Sequence, residues 1–180
     1  MDSSIIKPIT VYCTIAETSY GWIGIVGNPR GLIRMILPEY NKENVLDQLS
    51  KFLHPGYQCI QNHHHFVDLT EKIVEYFNGV TVHFIGQALD LSHYTPFQRK
   101  ILLIAREIPY GEVRTYQWLA TQAGNSKACR AVGGVMRVNP LPLIIPCHRI
   151  IGSRGKLTGF SATGGIELKR RMLELEGISL

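Results

Sequence analysis

The stretch Pro140-Leu141-Pro142-Leu143-Ile144-Ile145-Pro146-Cys147-His148-Arg149 constrains this chain more than any other. Each proline removes a backbone donor and restrains the residue before it, so a regular helix is excluded there and the segment must run as a rigid, mostly apolar loop. That loop carries a thiol, an imidazole and a guanidinium side by side. Apolar burial raises a thiol's pKa, whereas a neighbouring histidine, arginine or helix N-terminus lowers it, so a reactive Cys147 needs His148 or Arg149 to outweigh desolvation. In an extended segment adjacent side chains point to opposite sides. The Cys-His pair alone therefore does not establish catalysis, and a relay through water or a third group would have to complete it.

Of the 180 residues, 45% are hydrophobic and 18% charged, which excludes intrinsic disorder and suffices for one or two domains with real cores. No repeat or low-complexity tract is present. No apolar run approaches the ~20 residues of a bilayer span, and Met1-Asp2-Ser3-Ser4 lacks a basic leader region, so the chain is expected in the cytosol or nucleus with no membrane partner. The net charge of +5 is unevenly spread: residues 1–91 hold 6 Lys and Arg against 9 Asp and Glu, and residues 92–180 hold 13 against 5. A basic half beside a weakly acidic one suits a polyanion-binding module joined to a structural or partner domain, although many basic domains bind nothing.

Cys13, Cys59, Cys129 and Cys147 form no close-spaced pair, so neither a zinc ribbon nor a CxxC redox motif is present and four free thiols are expected. His63-His64-His65, with His54, His83, Cys13 and Cys59 in the same half, departs from standard ligand spacing. A surface loop is expected there, and no metal.

Thr10 to Ile15, Gly21 to Gly27 and Leu32 to Leu37 are β-rich, and the turn residues at Tyr20-Gly21 and Asn28-Pro29-Arg30-Gly31 fold them into an antiparallel meander. Two helices should follow, one capped by Asn41 with Val45, Leu46, Leu49 and Leu53 on one face, the other with Leu69, Ile73, Val74 and Phe77 before Gly79. Thr81 to Ile85 reads as a further short strand, and the polar segment Leu89 to Tyr94 as a linker. Beyond it the chain is mostly helical. Thr95-Pro96 caps a helix bearing Phe97, Ile101, Ile104, Ala105 and Ile108; Thr115 caps another that ends at Gly124; and a third runs from about Ser126 to Val138. The last two fit helix-turn-helix spacing, with two packed helices as the plainer alternative. Gly133-Gly134 inside the third costs roughly 1 kcal/mol per glycine relative to alanine, so close packing or close approach of a partner must offset it.

Asn139-Pro140-Leu141-Pro142 followed by Ile145-Pro146-Cys147-His148-Arg149-Ile150 resembles the active-site signature of the O6-alkylguanine-DNA alkyltransferases. The resemblance extends back through Thr95-Pro96-Phe97-Gln98-Arg99, Ile108-Pro109-Tyr110-Gly111-Glu112-Val113, Thr115-Tyr116 and Ala128-Cys129-Arg130-Ala131-Val132-Gly133, and forward through Gly159-Phe160-Ser161 and Leu175-Glu176-Gly177. It covers residues 89–180 and implies an α+β fold: a small N-terminal α/β domain (1–88) with a ribonuclease-H-like antiparallel sheet, then a mostly helical winged helix-turn-helix domain (89–180).

The activity that the resemblance implies is direct-reversal DNA repair, the irreversible transfer of an alkyl group from O6-alkylguanine, and from O4-alkylthymine, to Cys147. A thioether is not hydrolysed back to a thiol, so each molecule would act once. The same resemblance makes His148 the base, acting through a bound water, Glu176 its orienter, Asn139 the brace of the cysteine loop, and Tyr116 the proton donor to N3 of the departing guanine. Tyr116, Pro142, Phe160 and Ser161 would line the base pocket. Ser126, Ala128, Arg130, Gly133 and Arg137 would face DNA, Arg130 filling the stack vacated by a base flipped out through the minor groove. No cofactor is implied; the partner is double-stranded DNA held with little sequence preference, and the protein a monomer. The N-terminal half is expected to buttress the Cys147 loop. The loop Ser161-Ala162-Thr163-Gly164-Gly165 is longer than in some members of the family. A non-reactive lesion-recognition protein, a thiol hydrolase using Cys147 and His148, and a winged-helix transcription factor are the competing readings, each leaving part of the motif string unexplained.

Overall fold

The computed structural model of the chain describes residues 9–53, 57–61 and 63–180, so Met1-Asp2-Ser3-Ser4 and His54 lie outside the described residues. Strands β1 (Ile9–Thr18), β2 (Gly21–Asn28) and β3 (Gly31–Glu39) form the expected antiparallel meander. Its turns demand glycine: Gly31 has φ +142°, and a Cβ there would sit 2.4 Å from the Ala88 carbonyl oxygen. Helix α1 (Lys42–Phe52) follows, Asn41 Oδ1 accepting from the Asn44 N–H as its N-cap. A fourth strand, β4 (Tyr57–Gln61), then pairs parallel to β1, giving the order β3-β2-β1-β4 and a sheet that is mixed rather than antiparallel throughout. This pairing corrects the expectation of four free thiols, because β4 lies against β1 and brings Cys59 to Cys13, and the two are disulfide-bonded. Cys129 and Cys147 are the free cysteines.

A short 3₁₀ turn, His63–Phe66, leads into α2 (Val67–Phe77). Thr81 to Ile85 is irregular chain and not a strand: Val82 and Phe84 are buried, but among the described residues no strand pairs with them. Residues 88–90 are stitched to the meander instead of hanging free. Leu32 N–H donates to Ala88 O, Asp90 N–H to Leu32 O, and the buried Asp90 carboxylate accepts from Asn28 Nδ2 at 2.7 Å and from Arg30.

Helices α3 (Pro96–Arg106), α4 (Tyr116–Gln122) and α5 (Cys129–Arg137) start where side-chain caps allow. Thr95 and Gln98 form a reciprocal capping box on α3, and Thr115 Oγ1 accepts from Trp118 N–H on α4. The predicted start of α5 at Ser126 is corrected to Cys129, because Asn125 folds the preceding residues into a turn, its side chain accepting from Lys127 N–H and its carbonyl from Ala128 N–H. The α4–α5 pair has helix-turn-helix form, clipped by the Gln117 side chain, which donates to Ser126 O and accepts from the Cys129 thiol. Two-residue strands β5 (Arg114–Thr115) and β6 (Ile150–Ile151) tie the start of α4 to the chain just after Arg149, and α6 (Gly165–Leu175) closes the fold.

One apolar core runs through both halves. It joins Ile25, Leu37, Ile73 and Phe77 to Ile101, Leu119, Met136, Ile145 and Met172, while a smaller one lies between the sheet and α1. Among the described residues no helix is long and apolar enough to cross a membrane, and no group of three His, Cys, Asp or Glu side chains is placed to hold a metal ion.

Candidate active site and nucleic-acid interface

Cys147 opens a 3₁₀ turn (Cys147–Arg149) at the end of the proline-bounded loop, where the chain cannot continue a ladder or a helix. The loop is braced from three sides. Asn139 spans it, donating from Nδ2 to Ile145 O at 2.8 Å and accepting from Leu141 N–H; Met35 N–H of β3 donates to Pro140 O at 2.8 Å; and Pro142 bridges to Ile145. Within it the buried Leu143 holds φ +72°, a left-handed conformation costly for a branched side chain and sustained only by surroundings that fix it.

The thiol is almost enclosed, at 9% exposure. Burial pushes its pKa up, opposed by a hydrogen bond from Asn139 and by the Lys169 ammonium, so at neutral pH it keeps its proton until a base takes it. His148 is fully buried, and burial holds its pKa below the ordinary histidine value despite the pull of Glu176. The imidazole is therefore neutral and able to act as a base. Its Nε2 lies 2.8 Å from Glu176 Oε1, the proton assigned to that nitrogen because the carboxylate accepts, and its buried Nδ1 has no hydrogen-bond partner among the described residues.

Glu176 caps the C-terminus of α6 and is buried. Burial would raise its pKa, but the hydrogen bonds and charges of His148 and Arg149 outweigh that and hold it at about 2. Arg149 grips both carboxylate oxygens, Nε to Oε2 at 2.8 Å and Nη2 to Oε1 at 2.9 Å, and its Nη1 donates to Ile108 O; Gly111 N–H adds a donor to Oε2. The negative charge opposite His148 is thus fixed in place and compensated.

The remaining candidates gather around two depressions that share a wall. Asn139, Pro142, Cys147, Phe160 and Ser161 line a cavity of about 300 Å³, closed on its other side by Arg34, Glu39 and Gln48 of the N-terminal half. Tyr116, Arg130, Gly133, Arg137, Phe160 and Ser161 line an open groove of about 500 Å³ along α5. Burial, and next the proximity of Cys147, raise the Tyr116 pKa, which keeps its phenol a donor. Ser161 Oγ donates to Arg137 O, and Thr163 Oγ1 to Glu39 Oε1 at 2.5 Å, so the loop carrying Phe160 is latched to α5 on one side and β3 on the other. Ser126 and Ala128 stand at the entry to α5 and line neither depression.

Two buried polar positions at the site, Lys169 and Tyr76, escaped the sequence reading, and a third was assigned another part. Arg149, expected as a group that could lower the thiol pKa, is engaged by Glu176 instead. Lys169 is fully buried on α6, Nζ donating to Ile150 O at 2.5 Å and Thr158 O at 3.2 Å, with its pKa brought down to about 8 by burial. Its place between Leu168 and Met172 on the apolar face of α6 was a readable signal. Tyr76 lies on the apolar face of α2 with Leu69 and Ile73, but its phenol donates to Glu176 Oε1 at 2.9 Å, a partner 100 residues away that no local pattern shows.

Residues 96–178 match the family model described as the DNA-binding domain of 6-O-methylguanine DNA methyltransferase. The methylated-DNA–protein-cysteine methyltransferase of Methanosarcina acetivorans is 35% identical over 167 residues, 93% of this chain and 99% of that protein. The chain belongs to the methylated-DNA–protein-cysteine methyltransferase family. Among solved structures, the O6-methylguanine methyltransferase of Mycobacterium tuberculosis matches with a TM-score of 0.72 at 32% identity, covering 92% of each chain. The structure of the same bacterium's protein in complex with DNA matches with a TM-score of 0.73 at 31% identity, over 93% of this chain and 92% of that one. The methyltransferase family thus accounts for both halves of the fold, the sheet as well as the helix-turn-helix.

Proposed function

We propose that this methyltransferase-family chain repairs DNA by direct reversal, moving the alkyl group of O6-alkylguanine, and of O4-alkylthymine, onto Cys147 once per molecule. The observation that carries the reading is the enclosed Cys147 thiol, lining a cavity that shares the Phe160–Ser161 wall with the α5 groove, followed in the chain by His148, whose buried Nδ1 is left without a partner by the Glu176 bond to Nε2. In the reaction the S–H proton passes to His148 Nδ1 through one bridging water, a bond forms from sulfur to the alkyl carbon, and the carbon–O6 bond breaks. Its electron pair goes to the guanine ring, and the Tyr116 phenol supplies a proton at N3, so that no net negative charge leaves with the base. Glu176 keeps the imidazole in the tautomer with Nδ1 free. The new thioether has no route back to a thiol, which makes the protein a stoichiometric transferase.

The target carbon lies inside a duplex, so the nucleotide is flipped out, with α5 in the minor groove and the exposed Arg130 in the vacated stack. Contacts to the backbone dominate and sequence preference is weak. The protein works as a monomer wherever the cell keeps its DNA, in a cytoplasmic nucleoid or a nucleus. The natural division is 1–88 and 89–180, the N-terminal half supporting the active loop through Met35 and the pocket loop through Glu39.

Mixing the protein with duplex DNA containing one O6-methylguanine, then measuring intact and peptide masses, tests this directly. One added methylene on the Cys147 peptide, only with the damaged duplex, is expected; binding without a mass gain would make it a recognition protein.

The glycines of α5 supply a second expected result. A Cβ on Gly133 would have nothing within 4 Å, so no contact inside the protein offsets the cost of a glycine in that helix, and the α5 groove that Gly133 lines is open. Gly133→Ala should therefore raise Tm by about 2–4 °C while weakening duplex binding by about fivefold, read by calorimetry and by fluorescence anisotropy. A variant that is stabilised and binds as before would place the DNA elsewhere.

A further inference from the structure

Glu176 Oε1 receives three donors: His148 Nε2 at 2.8 Å, Arg149 Nη2 at 2.9 Å and, from the other half of the chain, the Tyr76 hydroxyl at 2.9 Å. The Tyr76 oxygen also lies 3.4 Å from His148 Nε2 and 3.4 Å from Met172 O. The side chain is 1% exposed, and its ring is packed edge-on against Phe77, Phe84 and Tyr110, so it has no freedom to leave. We propose that Tyr76 is a positioning residue for alkyl transfer: its phenol shares Glu176 Oε1 with His148 and so sets how strongly the carboxylate holds the imidazole proton.

This role for Tyr76 rests on the transfer reading only for its rate measurement. A carboxylate oxygen already occupied by a second and a third donor is a weaker acceptor for the first. With the phenol present, His148 is anchored in one tautomer by Glu176 without being drawn into the imidazolium form, in which it could no longer take the thiol proton. Burial and the Glu176 charge keep the phenol itself protonated, so it remains a donor throughout. The charged and titratable groups facing this imidazole are Glu176 at the end of α6, Lys169 within α6, Arg149 on its own turn, Tyr76 on α2 and the neighbouring Cys147 thiol; Tyr110 faces Tyr76 and Arg149 from the loop after α3. Of these, Tyr76 is the one that touches both members of the pair and comes from the N-terminal half. The half with no reacting atom thereby reaches the base.

The test is Tyr76→Phe in the full-length protein, with single-turnover transfer from an O6-methylguanine duplex measured across pH and the His148 ring followed by nuclear magnetic resonance. Removing the phenol should move the His148 titration, and with it the acid limb of the rate profile, upward by about 0.5–1 unit, costing about three- to tenfold in rate on that limb and little at high pH. A uniform loss at every pH, or a superimposable profile with an unmoved His148 titration, overturns the proposal and leaves Tyr76 as packing. If the variant does not fold, 3-fluorotyrosine placed at 76 keeps the ring and strengthens the donor, and the limb should then move down; an unmoved limb counts against the proposal equally. Wild-type protein that transfers no methyl group defeats the transfer reading itself, whereas the His148 titration still decides the role of Tyr76.

Discussion

Cys147→Ser will bind alkylated duplex DNA and leave the alkyl group where it is, its transfer rate lower by about 10⁴-fold or more, the scale on which loss of a catalytic nucleophile acts. The thiol's chemistry is the reason. A thiolate is a soft nucleophile suited to in-line displacement at an alkyl carbon, and the base in contact with this loop is a neutral, buried imidazole. A hydroxyl in the same place is a far weaker acid and a harder nucleophile, poorly matched to displacement at an alkyl carbon. Because burial raises the Cys147 pKa and lowers that of His148, the wild-type rate should be level near neutral pH and should fall as acid protonates His148, which then cannot accept the thiol proton. The fold should change little, since the replacement keeps the size of a small buried side chain, and Tm should move by only a few degrees, about 1 kcal/mol. Rapid-quench transfer assays on both proteins check this. Methyl found on Cys129 instead, the other free thiol, would shift the nucleophile to the start of α5.

What could be read from the sequence was whatever obeys a local rule. The caps at Asn41, Thr95 and Thr115 stand where expected because a side-chain oxygen three residues ahead of a free N–H is a local geometry. The meander was legible because glycine-bearing turns separate β-rich runs. Strand β4 was not, since Gln58, Cys59 and Gln61 form a short, exposed edge without an apolar face, and its pairing with β1 sets Val11 against Cys59, far apart in the chain. The inward-pointing Val82 and Phe84 gave the alternation of a strand, but alternation reports burial and not a hydrogen-bonded neighbour. At the site, the Cys147 loop was visible as chemistry held by prolines. The link of His148 to Glu176 came from the family resemblance and not from any local pattern, while those of Lys169 to the carbonyls around it and of Tyr76 to both halves needed the fold, because a buried polar side chain and a buried apolar one leave the same helical period.

Glu176→Ala will cost about 3–5 kcal/mol at neutral pH, lowering Tm by about 10 °C, because it strands buried partners rather than removing one surface contact. Arg149 would keep only Ile108 O, His148 Nε2 would lose its acceptor, and the Tyr76 hydroxyl would lose its shortest bond. Transfer should also fall by about 10²-fold or more, since an unoriented imidazole is a poor base. The pH dependence separates charge from packing. The Glu176 pKa of about 2 in the folded protein lies below its ordinary 4.5, so its ionised form stabilises the fold; that contribution is complete above about pH 4.5 and disappears as pH falls through 2. A depression of this size corresponds to about 3 kcal/mol. Chemical denaturation of wild type and variant at pH 7 and at pH 3 should therefore show the gap between them narrowing in acid. Glu176→Gln, which keeps an acceptor for His148 but no charge for Arg149, should fall between the two at pH 7. A gap of the same width at both pH values would mean that the carboxylate stabilises this protein through its shape, and that the Arg149 pair is not what anchors His148.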